Sequence, residues 1–381
     1  MNKNSVAFAL PMGLTLGGSN IWSLQMAGAL KNAGRRPVLL CHPSAAGVGA
    51  FELKPSEGVD CVSCPGPSRL VSEAGYVRRL AKSYRKALPG ILVPNFSNET
   101  HAACALLSMS HAEDIRVLGV VHGQGKQHLK CISQYEAVIH RFIAVSAEIA
   151  ADLRGLIPHR ASDICVRACA VDVPENLRRT YSAPDNPLRL VYAGRITNHE
   201  KRVYKLIPLA EALHNQGVDF RLRIIGDGGF RWGLNKAIQE LPSEVQKRIA
   251  VEGPRAPGEM AAVWDAADVC VLVSDREGTA ISMLEAMAHG CVPAVTRVSG
   301  TAAVIEHGVN GYISDIDDLD AMAGHIAELA ADRAKLAEIG RRGYNRVASN
   351  YSLRDYLAWF SNLIDDIWND TPRTWDRSKP L

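Results

Sequence analysis

The chain has 381 residues, 47% of them hydrophobic and 22% charged, with a formal net charge of +3. That length covers two domains of ordinary size, and the balance belongs to a globular protein with buried cores, not to a disordered or fibrous one. No apolar run reaches the roughly 18–20 residues of a membrane span, so a membrane-spanning chain is excluded as an expectation.

Charge and cysteine usage narrow the class further. Residues 1–172 carry +6 and the remainder −3, which predicts an anionic partner for the first half; no nucleic-acid partner is expected. Nine cysteines are scattered, mostly in apolar runs. An odd number without a secretion signal predicts free thiols in a reducing compartment, hence a cytoplasmic protein. Cys61-Val-Ser-Cys64 has metal-ligand spacing, but no second such pair follows, so no metal site is expected.

In chain order, the N-terminal run is too short and too soon broken by Pro11 to be a signal peptide. It reads as a strand, Ser5–Leu10. A glycine-rich turn with Gly17 and Gly18 leads into a helix from about Asn20 to Ala33, stopped by Gly34, and then a strand Pro37–Cys41. Glycines at a strand-to-helix turn allow close approach of a phosphate; an ordinary tight turn is the alternative. Ala74–Leu88 reads as an amphipathic helix with Arg78, Arg79, Lys82, Arg85 and Lys86 crowding one side. Such a helix suits peripheral contact with an anionic membrane surface, or is simply a solvated face. Gly90 opens a strand that ends in a polar loop running to His101, where Asn95, Asn98 and Glu99 are candidate acceptor contacts by position alone. Ile115–Val121 is a buried strand followed by His122-Gly-Gln-Gly-Lys126. Strand Phe142–Ser146, a helix from Ala147 to Leu153 and a short strand Ile164–Val171 complete a first domain, residues 1–172. The stretch Asp172–Pro187, with three prolines, reads as an interdomain linker.

The pattern then restarts over a second domain, residues 173–351. Strand Leu188–Ala193 leads to Gly194-Arg195 and Lys201-Arg202, and a helix from about Val203 to Asn215 follows. Strands at Phe220–Ile225 and Ile249–Glu252 and a short helix Met260–Ala267 precede the most informative stretch. There an apolar strand, Val269–Val273, a polar turn, Ser274–Gly278, a helix carrying Ile281, Leu284, Met287 and Ala288, and a stop at Gly290 come in succession, before strand Cys291–Thr296. The first turn of that helix leaves N–H groups unpaired at the positive end of its dipole, so amides around Gly278, Thr279, Ala280 and Ile281 suit a diphosphate. Glu277 beside the turn and Glu285 along the helix would repel phosphate and make better sense as acceptors for sugar hydroxyls. The plainer alternatives are a solvated loop for Glu277 and a capping box, Ser282-x-x-Glu285, for Glu285. Helices at Leu319–Leu329 and Arg333–Val347 precede the closing segment, residues 352–381, which holds a last helix from about Ser352 to Trp368 and a polar tail. Alternating strands and helices in both halves predict two doubly wound parallel sheets, an α/β fold.

The run Glu-Gly-Thr-Ala-Ile-Ser-Met-Leu-Glu-Ala-Met-Ala-His-Gly from Glu277 resembles the E-x7-E motif of the family 4 retaining glycosyltransferases. Gly-Arg-Ile followed by Lys201 resembles that family's G-R-L…K motif, with one extra residue of spacing. The resemblance implies a GT-B fold, with two Rossmann-like domains facing each other across a cleft and the last helix crossing back to the first domain. It implies transfer of a sugar from a nucleoside-diphosphate sugar, UDP- or GDP-linked, to a saccharide or lipid-linked acceptor in polysaccharide or glycoconjugate synthesis, with retention of configuration. On it, Gly17, Gly18, Arg195, Lys201 and the Gly278–Ile281 amides face the donor diphosphate, Glu285 the ribose, Glu277 the donor sugar and His122 the sugar's other face. No cofactor is implied, and metal independence is expected because no Asp-x-Asp motif sits where a metal-dependent transferase uses one. The basic helix resembles those that bring such enzymes to the inner face of the membrane. A non-catalytic nucleotide-sugar-binding protein, or a sugar-nucleotide epimerase of the same fold, are the alternatives.

Overall fold

The computed structural model describes residues 4–44, 52–123 and 125–381; the first three residues of the N-terminal run therefore lie outside it. The chain divides into two units, one running to Ala168 and taking in Asp355–Leu381, the other Cys169–Arg354.

The first unit is built on a sheet of seven strands: β1 (Ser5–Leu10), β2 (Arg36–Cys41), β3 (Asp60–Ser63), β4 (Gly90–Val93), β5 (Ile115–Val121), β6 (Arg141–Ala144) and β7 (Ile164–Val166), ordered β3-β2-β1-β4-β5-β6-β7. The strands pair in parallel, with Ala7 of β1 opposite both Val38 and Leu92. Every residue of β1 and β5 is buried, as parallel strands covered on both faces require. The covering helices are α1 (Gly18–Asn32), α2 (Glu73–Tyr84), α3 (Asn98–His111), α4 (Lys126–Gln134) and α5 (Ala147–Leu156). Ser72 caps α2 by accepting from the Gly75 N–H, and Ser146 caps α5 by accepting from the Ile149 N–H. Beyond Tyr84, α2 tightens into a 3-10 turn over Arg85–Ala87.

Two expectations are corrected here. Of the segment expected as a polar loop to His101, the end, Asn98–His101, is the first turn of α3; its polar start, Asn-Glu-Thr-His, hid the apolar run behind it. The strand expected over Ile164–Val171 stops at Val166.

The second unit carries β8 (Leu188–Ala193), β9 (Phe220–Ile225), β10 (Ile249–Glu252), β11 (Val269–Leu272), β12 (Val292–Thr296) and β13 (Tyr312–Ser314), again parallel, in the order β10-β9-β8-β11-β12-β13. Its helices are α6 (Leu206–Asn215), α7 (Arg231–Gln239), α8 (Ser243–Gln246), α9 (Met260–Asp265), α10 (Ile281–Ala288), α11 (Ser299–Ala302), α12 (Leu319–Ala331) and α13 (Arg333–Asn350). The segment expected as a linker is not free. Arg179 donates to the Trp264 and His289 carbonyls at 2.9 and 2.8 Å, Tyr181 OH to the Gly290 carbonyl at 2.8 Å, and Ser182 Oγ to Asp268 at 2.7 Å. These bonds engage a carbonyl in the last turn of α9 and two carbonyls just past the end of α10, and they tie the segment to its own unit.

The last helix, α14 (Leu353–Asn369), closes the first unit. Phe360 packs against Phe8 and Trp22 at ring distances of 6.5 and 5.8 Å, Trp22 Nε1 donates to Tyr356 OH at 3.2 Å, and Arg35 forks onto Asp365 at 2.8 and 2.6 Å.

Candidate functional site

In an open parallel sheet, the crevice for a ligand lies outside the carboxyl ends of the two central strands whose connections run opposite ways. In the second unit that point lies between β8 and β11. The loop after β8 carries Arg195 and Lys201; the turn after β11 carries Glu277. The topology therefore brings the two sequence motifs to one sheet edge.

Lys201 Nζ lies 2.6 Å from Glu277 Oε1, and Ser274 Oγ donates to the same oxygen at 2.7 Å. The Glu277 side chain is 9% exposed and that of Lys201 18%, so water screens the pair little. Arg202, the neighbouring cation, turns away: it adopts φ +47° and pairs with Asp317. Arg195 is half exposed and pairs with Glu200 at 3.1 Å.

Close backbone approaches fix this geometry. The Gly226 φ is +144°, and a Cβ there would sit 1.9 Å from the Gly194 carbonyl oxygen. The loop after β9 can thus lie on the Arg195 loop, with Ile196 N–H donating to the Asp227 carbonyl at 2.8 Å. Gly300 plays the same part for the turn after β11: its N–H donates to the Glu277 carbonyl at 3.0 Å, and a Cβ would meet the Gly278 carbonyl oxygen at 2.7 Å. Ser299 Oγ also donates to the Glu277 carbonyl, at 2.9 Å. Sequence reasoning missed Ser274, Ser299 and Gly300 as supports. Ser274 lies in the same turn as Glu277, three residues ahead of it; nothing local marks Ser299 and Gly300, because their partner lies on another segment.

Helix α10 opens just after this turn, and no side chain caps it. Of the four amides expected to face an anion, that of Ile281 is engaged: it donates to the Thr279 carbonyl at 3.0 Å across Ala280, at φ −77° and ψ 83°. Thr279 Oγ1 accepts from the Cys169 N–H at 3.4 Å. The helix begins at Ile281, which puts Ser282 inside it and removes the capping-box alternative for Glu285. Glu285 is half-buried beside Trp264, and burial pushes its carboxyl up to about 7.

The corresponding point of the first unit lies between β1 and β4. Gly17, the N-cap of α1, has extended backbone at φ −179°, and a Cβ there would meet nothing within 4 Å. The fold itself does not demand glycine at that position. Gly18 begins the helix, exposed. The loop is held by Asn20, whose amide donates to the Gly13 and Thr15 carbonyls at 2.9 and 2.8 Å.

His122 follows β5 and is half-buried, its ring 5.2 Å from the Trp22 ring. Burial, reinforced by nearby His128, lowers it to about 3, so the imidazole is neutral at physiological pH. The acceptor-contact expectation for Asn95 is corrected: it is 2% exposed and its amide faces inward. Asn98 and Glu99 are half-buried on the first turn of α3, and Ser97 Oγ donates to the Glu99 carboxylate. All nine cysteines are free, and no metal-holding group of His, Cys, Asp and Glu occurs among the described residues. No helix among them is long and apolar enough to cross a membrane.

Residues 187–332 match the family described as Glycosyl transferases group 1. The chain is 30% identical over 212 residues to WcaL of Salmonella typhimurium, which is named for colanic acid biosynthesis and glycosyl transfer; the match covers 54% of this chain and 51% of WcaL. The chain thus spans about half the length of the first curated relatives it matches. Its fold is similar to that of an S. aureus TarM mutant in complex with Fondaparinux, alpha-GlcNAc-glycerol and UDP, with a TM-score of 0.78 at 12% identity, covering 97% of this chain and 100% of that one. It is also similar to Anabaena Alr3699/HepE in complex with UDP and glucose, with a TM-score of 0.74 at 16% identity, covering 95% and 100%. The class is therefore α/β, two Rossmann-like parallel-sheet units of GT-B type, and the second unit carries the glycosyl transferases group 1 match.

Proposed function

We propose that this protein is a retaining glycosyltransferase that moves a sugar from a nucleoside-diphosphate sugar to an acceptor hydroxyl in the synthesis of a cell-surface polysaccharide or glycoconjugate. The observation that carries the reading is the Lys201–Glu277 pair beside the uncapped start of α10, inside the matched residues. A cation, a carboxylate and helix-terminal amides at one sheet edge suit a phosphorylated sugar. The amide donors and Lys201 take the diphosphate and the charge that builds on it as the bond to the sugar breaks. Glu277 takes sugar hydroxyls, and Glu285 those of the ribose. Arg195, half exposed, is free to swing from Glu200 to phosphate. The leaving phosphate itself receives the acceptor's proton, and the reaction needs no metal. The name of WcaL favours a polysaccharide setting, and the UDP in the TarM and HepE complexes favours a UDP-linked donor.

The acceptor side of the reading is a lipid-linked saccharide at a membrane surface. Arg78, Arg79, Lys82, Arg85 and Lys86 are all exposed along α2 and its 3-10 extension, and just before the helix Leu70 is 95% exposed. An unburied leucine beside exposed cations suits an anionic lipid surface.

The deciding experiment is thermal stabilisation by UDP, GDP, ADP and dTDP, with Lys201→Ala alongside. One nucleotide at a hundredfold excess over its Kd stabilises the wild type by about 2.7 kcal/mol, and the variant loses most of that shift. No shift with any nucleotide removes the donor site and the proposal with it.

A further inference from the structure

We propose that Asn95 is a positioning residue that fixes His122 as the Nε2–H tautomer, leaving the bare Nδ1 as a hydrogen-bond acceptor at the end of β5.

The argument starts from what Asn95 can donate to. Its Nδ2 lies 2.5 Å from the Ala9 carbonyl oxygen at the end of β1, a group that only accepts. The same nitrogen lies 3.3 Å from Ser23 Oγ on α1. That hydroxyl already gives its hydrogen to the Ser19 carbonyl at 2.8 Å, so towards Asn95 it is an acceptor. Two acceptors on one side fix which end of the amide is nitrogen. The carbonyl end, Oδ1, then faces His122 Nε2 at 3.1 Å. An amide oxygen cannot donate, so Nε2 must carry the hydrogen. Burial keeps the ring neutral, and a neutral imidazole has one N–H. Nδ1 is left as the acceptor, and it makes no hydrogen bond among the described residues. The Trp22 ring, edge-on at 68°, restricts rotation of the imidazole.

The backbone of Asn95 supports the assignment. It sits at φ +60°, a conformation that asparagine tolerates better than most residues. At 2% exposure its amide has no access to a ligand. It links β1, α1 and the end of β5, and through the ring nitrogen it sets which face of His122 can accept.

The test uses the full chain labelled with 15N-histidine. Two-bond 1H–15N correlations give the tautomer directly, with the His122 signals assigned by their absence in His122→Gln. The expected wild-type pattern is a pyridine-type Nδ1 and a pyrrole-type Nε2, with an Nε2–H proton protected from exchange. Asn95→Gly, which keeps the backbone angle, gives exchange-averaged nitrogens and loses that proton. A wild-type Nδ1–H pattern overturns the proposal even if the variant fails to fold, and so does an unchanged pattern in folded Asn95→Gly.

Discussion

The Lys201–Glu277 contact joins two residues that sequence motifs treat as separate ligands. Each neutralises the other in the free protein, and removing one leaves a charge that is poorly hydrated. Lys201→Ala is therefore expected to cost about 1–3 kcal/mol of stability without any ligand, and adding Glu277→Gln should recover most of it, by denaturant unfolding of the single and double variants. Glu285 gives a pH-dependent counterpart. Its carboxyl is raised from 4.5 to about 7 by burial, so between those values the folded chain holds a proton that the unfolded chain has lost. Stability from this group is full below pH 4.5 and falls as pH rises to 7, by up to about 3 kcal/mol. Glu285→Gln should flatten that part of the stability–pH curve. If ionised Glu285 accepts the ribose hydroxyls, UDP affinity should rise about tenfold from pH 6 to 8 in the wild type and not in Glu285→Gln, measured by calorimetry.

At the scale of elements, the turn after β11 depends on a strap that looks like a linker. Asp268, fully buried just ahead of β11, accepts from Ser182 and from the Arg189 backbone and guanidinium, with Nη2 at 2.6 Å. Burial works against its charge, but these donors hold its carboxyl below the usual range. Arg179 completes the arrangement from the strap, its Nη2 at 3.9 Å from Asp268. Asp268→Asn keeps the shape but leaves two guanidiniums without their carboxylate. It is expected to destabilise by about 3–5 kcal/mol, read as a lower urea midpoint. Because its folded carboxyl is depressed, the wild-type advantage over the variant should shrink as pH falls through the acid range. An equal loss in a distant surface Asp→Asn control would refute the special role of this cluster.

For the molecule as a whole, the two sheets share one construction and differ in charge. The positive excess lies in the first half, and α2 presents its cations with no acidic partner among the described residues. Vesicles containing about 30% anionic lipid should retain the wild-type chain at low salt and release it at 0.5 M salt, where the Debye length falls to a few ångströms. Reversing Arg78, Arg79 and Lys82 to Glu should abolish retention while leaving nucleotide stabilisation intact, since these residues lie on the first unit and the proposed donor site on the second. Retention that is equal on neutral vesicles would remove the electrostatic account.

The sequence by itself determined the two α/β repeats, because buried parallel strands must be continuous apolar runs and the covering helices must carry a 3.6-residue stripe. It also located the Glu277–Glu285 stretch, whose strand, turn and helix are consecutive in the chain. Tertiary structure alone decided which partners the polar groups find. Asn95 turns inward onto Ala9 because a buried amide must meet a carbonyl, and that carbonyl is 86 residues away. The Asp172–Pro187 stretch reads as a linker because its prolines and polar residues carry no periodicity, yet its arginine and tyrosine satisfy helix ends about 85–110 residues distant. Lys201 rather than Arg202 meets Glu277 because the positive φ at Arg202 sends adjacent side chains in different directions. Local pattern fixes elements through backbone geometry and apolar spacing; hydrogen-bond partners across the sheet edge are chosen only once the strands have been put in order.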